Sequence, residues 1–194
     1  MILERDEAIL SHVAPFSADK TWAPPKRAVE MLFQSADSPP VVSADQAEHQ
    51  MRDDDIVGGV IHKGVTRAYP LWVIDYYHCV NDLFEGDRVC VASCERCGTV
   101  GAWMATIEER QPLTFHVYGV YNCVLLQRDL ETNSLWLHHS GLCLEGTHQG
   151  RLLPQLVTWY TTWRRWREWH PGTQVVLPPA NPMHRVTQGQ CRLK

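Results

Sequence analysis

Two cysteines three residues apart, Cys94 and Cys97, followed at once by Gly98, constrain the local course of this chain more tightly than any other stretch. Sulfurs at that spacing face one shared ion only when the backbone turns between them, and Gly98 permits the tight return such a turn requires. On either side, residues 88–93 and 99–107 read as strands. The spacing points to paired-thiol chemistry, as a metal site or a redox centre, against the plainer alternative of two buried thiols in a turn. Zinc ribbons use two such pairs and the chain has one, so an ion here must recruit other ligands.

The surrounding pattern is one of short strands at close spacing. Residues 56–62 and 65–69 are apolar runs separated by Lys63-Gly64, a hairpin signature. Residues 71–80, after Pro70, carry Leu71, Val73 and Ile74 on a helical face. Residues 113–117 and 123–127 form a second pair about Gly119, residues 134–138 a further strand and residues 173–177 the last one. A helix is expected over 161–170, ended by Pro171-Gly172, with Trp159, Trp163 and Trp166 along one core-facing stripe. Ser43 with Gln46 spells a capping box for a short helix reaching about Met51, and residues 26–34 are helix-like before the Ser38-Pro39-Pro40 breaker. The class that fits is α+β, mainly antiparallel β with two or three short helices, in a single compact domain. Residues 1–38 read as an N-terminal arm, 39–178 as the β-rich body and 179–194 as a C-terminal tail.

A chain of 194 residues that is 44% hydrophobic and 21% charged supplies one core and gives no sign of disorder. Its formal charge of -4 offers no general attraction to phosphate backbones, so nucleic acid is not an expected partner. No apolar run is long enough to cross a membrane. Acidic Glu4, Asp6 and Glu7 stand where an export signal would be basic, which points to a cytoplasmic, reducing compartment. Seven cysteines there are ligands or core residues rather than a disulfide framework. Dinucleotide fingerprints, phosphate loops and acyl-transfer triads are lacking, and Asp53-Asp54-Asp55 has neither the spacing nor the terminal glutamate of a calcium loop. Nothing in the chain fixes an oligomeric state.

The complementary ligands must come from elsewhere in the chain. Cys90, four strand positions before Cys94, lies about 13 Å from it and reads as packing. His78, His116 and His138 are the imidazole candidates, and His138 and His139 point to opposite faces of a strand. If the second hairpin closes at Gly119-Val120, His116 faces Cys123 within reach of a shared ion. Thiolates with imidazoles suit copper, zinc or iron. Tyr77, Tyr121 and Asn122 are placed to line a pocket as hydrogen-bond donors. The leading expectation is a metal-dependent enzyme acting on a small molecule, with oxidative chemistry if the ion is copper or iron. A second is a non-catalytic binding or accessory module with a structural zinc site. A third is thiol–disulfide exchange, disfavoured because such a motif opens a helix whereas residues 99–103 read as strand.

Several blocks together resemble the bacterial domain-of-unknown-function 3179 family. They include Asp53 to Val60, Arg67-Ala68-Tyr69-Pro70-Leu71-Trp72, Val80-Asn81-Asp82, Cys94 to Gly98, Asp129-Leu130-Glu131-Thr132 and Thr161-Thr162-Trp163, over about residues 39–177. The resemblance implies a compact β-rich domain with a metal site at the paired cysteines; it carries no settled activity. It also implies departures: His138 stands where the family tends to have glutamine, His116 where it has glycine, Cys123 where it has serine, and Tyr77-His78 where it has His-Glu. Each of the first three adds a soft or borderline ligand, as expected of a divergent, cytoplasmic member.

Overall fold

In the computed structural model, which describes residues 35–95, 97–107, 111–121 and 124–177, the plan follows from a five-stranded sheet covered on both faces. Cys79–Phe84, Asp87–Cys94 and Thr99–Met104 run as an antiparallel meander, edged by Ala36–Asp37 on one side and Gln155–Leu156 on the other. Because successive strand residues point to opposite faces, Val80, Val89, Val91 and Ala102 look one way. They pack with Val60, Tyr69, Val73 and Ile74, from a second sheet and the Leu71–Tyr77 helix. Cys79, Cys90, Ala92 and Trp103 look the other way, onto Phe115 and Trp136 of a third sheet.

The second sheet runs in the order Thr158–Thr162, Ile56–His62, Val65–Pro70, Gln174–Val176 and Val41–Ser43. The third is Phe115–Tyr121, Val124–Asp129, Leu135–Leu137 and Cys143–Glu145, and a two-stranded ladder joins Thr106–Ile107 to Gln111–Pro112. The result is antiparallel-rich β with three short helices among the described residues. The sheets are nevertheless mixed, because Ala36 pairs in parallel with Val80 and Gln174 with Arg67. No helix among the described residues is long and apolar enough to cross a membrane.

Local chemistry accounts for many of these elements. Lys63 and Gly64 both take positive φ, 48° and 78°, the turn that suits the twist of a two-residue hairpin. Ser43 and Gln46 form the reciprocal capping box, although the helix it opens is only Ala44–Ala47. Trp163 and Trp166 are buried on the Trp163–Trp169 helix, and the Trp166 ring fills the space that a Cβ on Gly59 would occupy. Trp159 departs from the expected stripe. It lies in the strand before the helix, 44% exposed, and meets Trp169 edge-on at 6.1 Å. The threonine-rich run 158–162 favours extended backbone, and Thr162 then caps the helix by accepting from the Arg165 amide.

Two further expectations are corrected. The helix after Pro70 stops at Tyr77, because His78 takes a left-handed conformation, φ 56°, and Cys79 opens the first strand of the central sheet. In the third sheet the hairpin does not close at Gly119. Its last described pair is Tyr121 with Val124, and the register slips at Tyr118, so His116 lies opposite Arg128 rather than Cys123. A glycine inside a strand marks a bulge as readily as a turn. Residues 26–34, Asn122, Cys123 and the tail from 178 lie outside the described residues, as does the arm up to residue 34; Ala36–Asp37 joins the central sheet.

A buried polar network ties the second sheet to the central one. Arg67 donates to Asp82 at 2.7 Å, to the Leu83 carbonyl at 3.1 Å and to Gln174 at 2.7 Å, while the Tyr69 hydroxyl donates to Asp82 at 2.5 Å. Burial, reinforced by the Asp82 charge, pushes the Tyr69 hydroxyl pKa well up, so it remains a donor. Removing one member strands the others away from water. Asp82→Ala is expected to cost about 3–5 kcal/mol, read as a lower urea midpoint with an unchanged slope; a loss below about 1 kcal/mol would show that the network contributes little.

Candidate metal centre

Cys94 is the last residue of Asp87–Cys94, opposite Thr99, the first residue of the next strand. The chain turns between them with the Cys97 amide donating to the Cys94 carbonyl at 3.0 Å and to its Sγ at 3.3 Å. Gly98, at φ +62°, closes the turn in a conformation that other side chains rarely adopt. The two sulfurs are joined as a disulfide across a Cα separation of 5.2 Å. Strand alternation carries Cys94, like Cys90 and Ala92, toward the third sheet, and Ser93 toward the helix side.

His138 arrives from the third sheet. It follows Leu135–Leu137, donates its amide to the Leu125 carbonyl at 3.1 Å and buries its ring edge-on to Trp103 at 5.8 Å. His139 is exposed, but the strand ends at Leu137 and both histidines lie in the turn that follows, so the expected strand alternation is not what separates them. The His138 Nε2 lies 2.8 Å from Thr99 Oγ1, whereas its Nδ1 is buried with no hydrogen-bond partner among the described residues. One ligand atom from each of Cys94, Cys97 and His138 lies within 4.8 Å of the others. The cross-sheet bond to Thr99 occupies Nε2, so Nδ1 is the ring nitrogen without a hydrogen-bond partner among the described residues. Burial, helped by the neighbouring His139 and His78 rings, lowers the His138 pKa to about 4. The ring is therefore neutral near pH 7, the form that binds metals.

The wall beside this cluster is the end of the Leu71–Tyr77 helix. The Ser93 hydroxyl donates to Asp75 through a short bond, and the Ser93 amide donates to the His78 carbonyl at 3.1 Å, locking helix end to strand end. His78 is half-buried, close enough for its charge to act on His138, and its own pKa is lowered by burial against the opposing effect of Glu95. Its ring is not one of the three gathered donors. Tyr77 precedes it, edge-on to Tyr76 at 4.9 Å. His116 sits elsewhere on the third sheet with its ring nitrogens 3.2 and 3.3 Å from Ser35 Oγ. Tyr121 holds the strand end opposite Val124, while Asn122 and Cys123 lie outside the described residues.

The remaining described cysteines are core. Cys79 and Cys90 lie 3.6 Å apart at their sulfurs, with Gln127 donating to Cys79 at 3.2 Å, and burial pushes the Cys143 thiol up to about 12. The packing role expected of Cys90 holds. Residues absent from the sequence-level site are Thr99, Ser93 and Asp75. Asp75 could have been found one helical turn before His78; Thr99 carries no signal until its strand is paired with Cys94.

The family model described as a protein of unknown function, DUF3179, matches residues 33–189. The chain belongs to this family. Among curated proteins and among solved structures no match is found. In this DUF3179 member, the blocks that carry the resemblance divide in two: Arg67 to Tyr69 and Asn81-Asp82 build the scaffold, and Cys94 to Gly98 builds the turn of the centre.

With the disulfide reduced, two thiolates and a neutral imidazole would form a borderline-soft donor set that suits zinc, copper or iron. The amide bond to Cys94 Sγ and the second-nitrogen bond from His138 to Thr99 are the outer contacts such ligands need. Asp75, held by Ser93 on the helix side of the same strand end, is also titratable. Burial, reinforced by Glu95 and opposed by the Ser93 hydroxyl, raises its pKa from 3.8 to about 6. A carboxyl whose pKa rises on folding favours the folded state below its unfolded value, and that stabilisation is lost as pH climbs through the folded value. Asp75→Asn, which cannot ionise, should therefore gain stability over the native chain between about pH 4 and 7, measured as denaturation midpoints across that range. Parallel profiles for the two chains would show that Asp75 is not perturbed.

Proposed function

We propose that Cys94, Cys97 and His138 hold a metal ion, and that the centre serves a metal-dependent enzyme acting on a small molecule. The observation that carries this reading is the convergence of a His138 ring nitrogen with two sulfurs within 4.8 Å, on a buried ring whose Nδ1 has no hydrogen-bond partner among the described residues. A buried nitrogen with no partner is costly unless something occupies it. Three protein donors leave a tetrahedral ion one position for a substrate atom. The ion would polarise a bound group if zinc, or supply oxidative chemistry if copper or iron.

The chain's own residues do the rest. Thr99 orients the His138 ring, and Asp75, with a pKa of about 6, can take or return a proton near neutral pH. Tyr77 and His78 would flank the substrate on the helix side. A purely structural ion is less well supported, because neither the main core clusters nor the Arg67–Asp82 network includes Cys94 or Cys97. The reading assigns the chain to a reducing, cytoplasmic compartment, where the pair persists as thiolates.

One specific observation favours a second reading, dithiol–disulfide chemistry: the Cys94 and Cys97 sulfurs are bonded to each other. The strand that follows the pair sets it apart from helix-opening redox motifs.

Elemental analysis of protein purified under reducing conditions should find about one equivalent of metal, lost when Cys94→Ser and Cys97→Ser are combined. Thr99→Val should weaken metal affinity about 10–100-fold with little change in the denaturation midpoint. Chelation should remove the ion and leave the core folded. Full metal content in the double variant would sink the assignment, and unfolding on chelation would move the site to the structural class.

A further inference from the structure

Resting on the metal reading above, we infer that the centre is redox-gated: the same two sulfurs either ligate the ion or bond to each other, and a small-molecule disulfide discharges the ion by closing Cys94–Cys97. Three observations carry this. The sulfurs that lie with His138 in the donor cluster are also the bonded pair, so the two occupancies exclude one another. The turn serves both states, since its Cα separation of 5.2 Å falls within the range a disulfide needs and its amide bonds hold the backbone in place. Access is graded. Cys97 is half-buried beside exposed Glu95, Gly98 and Thr99, Cys94 is 4% exposed, and Cys79, Cys90 and Cys143 are at most 1% exposed.

That gradient orders the steps. The Cys97 thiolate attacks one sulfur of oxidised glutathione, forming a mixed disulfide and expelling one glutathione thiolate. The Cys94 thiolate then attacks the Cys97 sulfur, closing the intramolecular bond and expelling the second. Two electrons pass from the pair to the glutathione disulfide, and no proton need move, because two protein thiolates are replaced by two glutathione thiolates. The two expelled glutathione thiolates carry the negative charge that had offset the dication, and the ion leaves because His138 alone is too small a donor set to retain it. Reduction reverses each step and reopens the site.

The test loads the reduced full chain with zinc, adds oxidised glutathione, follows released zinc with a chromophoric chelator, and maps all seven cysteines by peptide mass spectrometry. The expected result is one zinc released per Cys94–Cys97 bond formed, about two glutathione thiols per zinc, and recovery on adding dithiothreitol and zinc. The Cys94→Ser variant should trap glutathione on Cys97. Zinc retained after Cys94–Cys97 has closed, or released through a bond that involves other cysteines, would overturn the gate while the metal site stands. A reduced chain that takes up no zinc would overturn the metal reading itself, and the gate with it.

Discussion

Asn81 and Asp82, adjacent on the central strand Cys79–Phe84, bind the structure in both directions. Asp82 faces the second sheet and neutralises buried Arg67, while Asn81 faces the third sheet and makes paired bonds to the Phe115 amide and carbonyl, both at 2.9 Å. A central sheet covered on both faces has no solvent side to absorb a register slip, since moving one residue would turn these polar groups into the wrong layers. The two residues thus set which face every later strand position takes. Cys94 is delivered to the third-sheet side and Ser93 to the helix side by the same alternation that separates Asn81 from Asp82.

The centre lies where this scaffold ends and a turn begins. The clustered sulfurs and ring lie at strand ends and turns of two different sheets, and the bond between Thr99 and His138 crosses the gap between them. The surroundings also divide the charge. Burial favours the neutral form of His138 and raises the Asp75 pKa toward neutral pH. Ser93 connects the two regimes by bonding Asp75 with its side chain and the His78 carbonyl with its amide.

Much of this was legible because it is local. The Lys63-Gly64 hairpin, the Ser43–Gln46 capping box and the strands around the paired cysteines all follow from neighbours a few residues away. What escaped depends on partners distant in sequence. Cys79 and Val80 continue a helical apolar pattern and become strand only because Ala36–Asp37 and Asp87–Cys94 pair on either side of them. Gly119 signals a turn in isolation, yet the longer ladder absorbs it beside a bulge. Trp159 matches a helical stripe by spacing, but pairing with Gly59 keeps it extended. Of the proposed ligands, Cys94, Cys97 and His138 converge, and the partner that orients His138 was hidden as one more strand threonine.

The separation between scaffold and turn has a chemical consequence. A thiolate pair embedded among the core layers would couple every change in its state to the packing of buried side chains, as it would for Cys79 and Cys90, which share Gln127 and the Phe115 carbonyl with the layers around them. Cys94 and Cys97 instead belong to a turn in which the Cys97 amide bonds back to Cys94, Cys94 being buried and Cys97 half-buried. Exchange of an ion, or of electrons, at that position need not break the Arg67–Asp82 network or the Asn81–Phe115 bonds. The fold can therefore remain fixed while the chemistry at its edge changes, which is the condition a reversible centre requires.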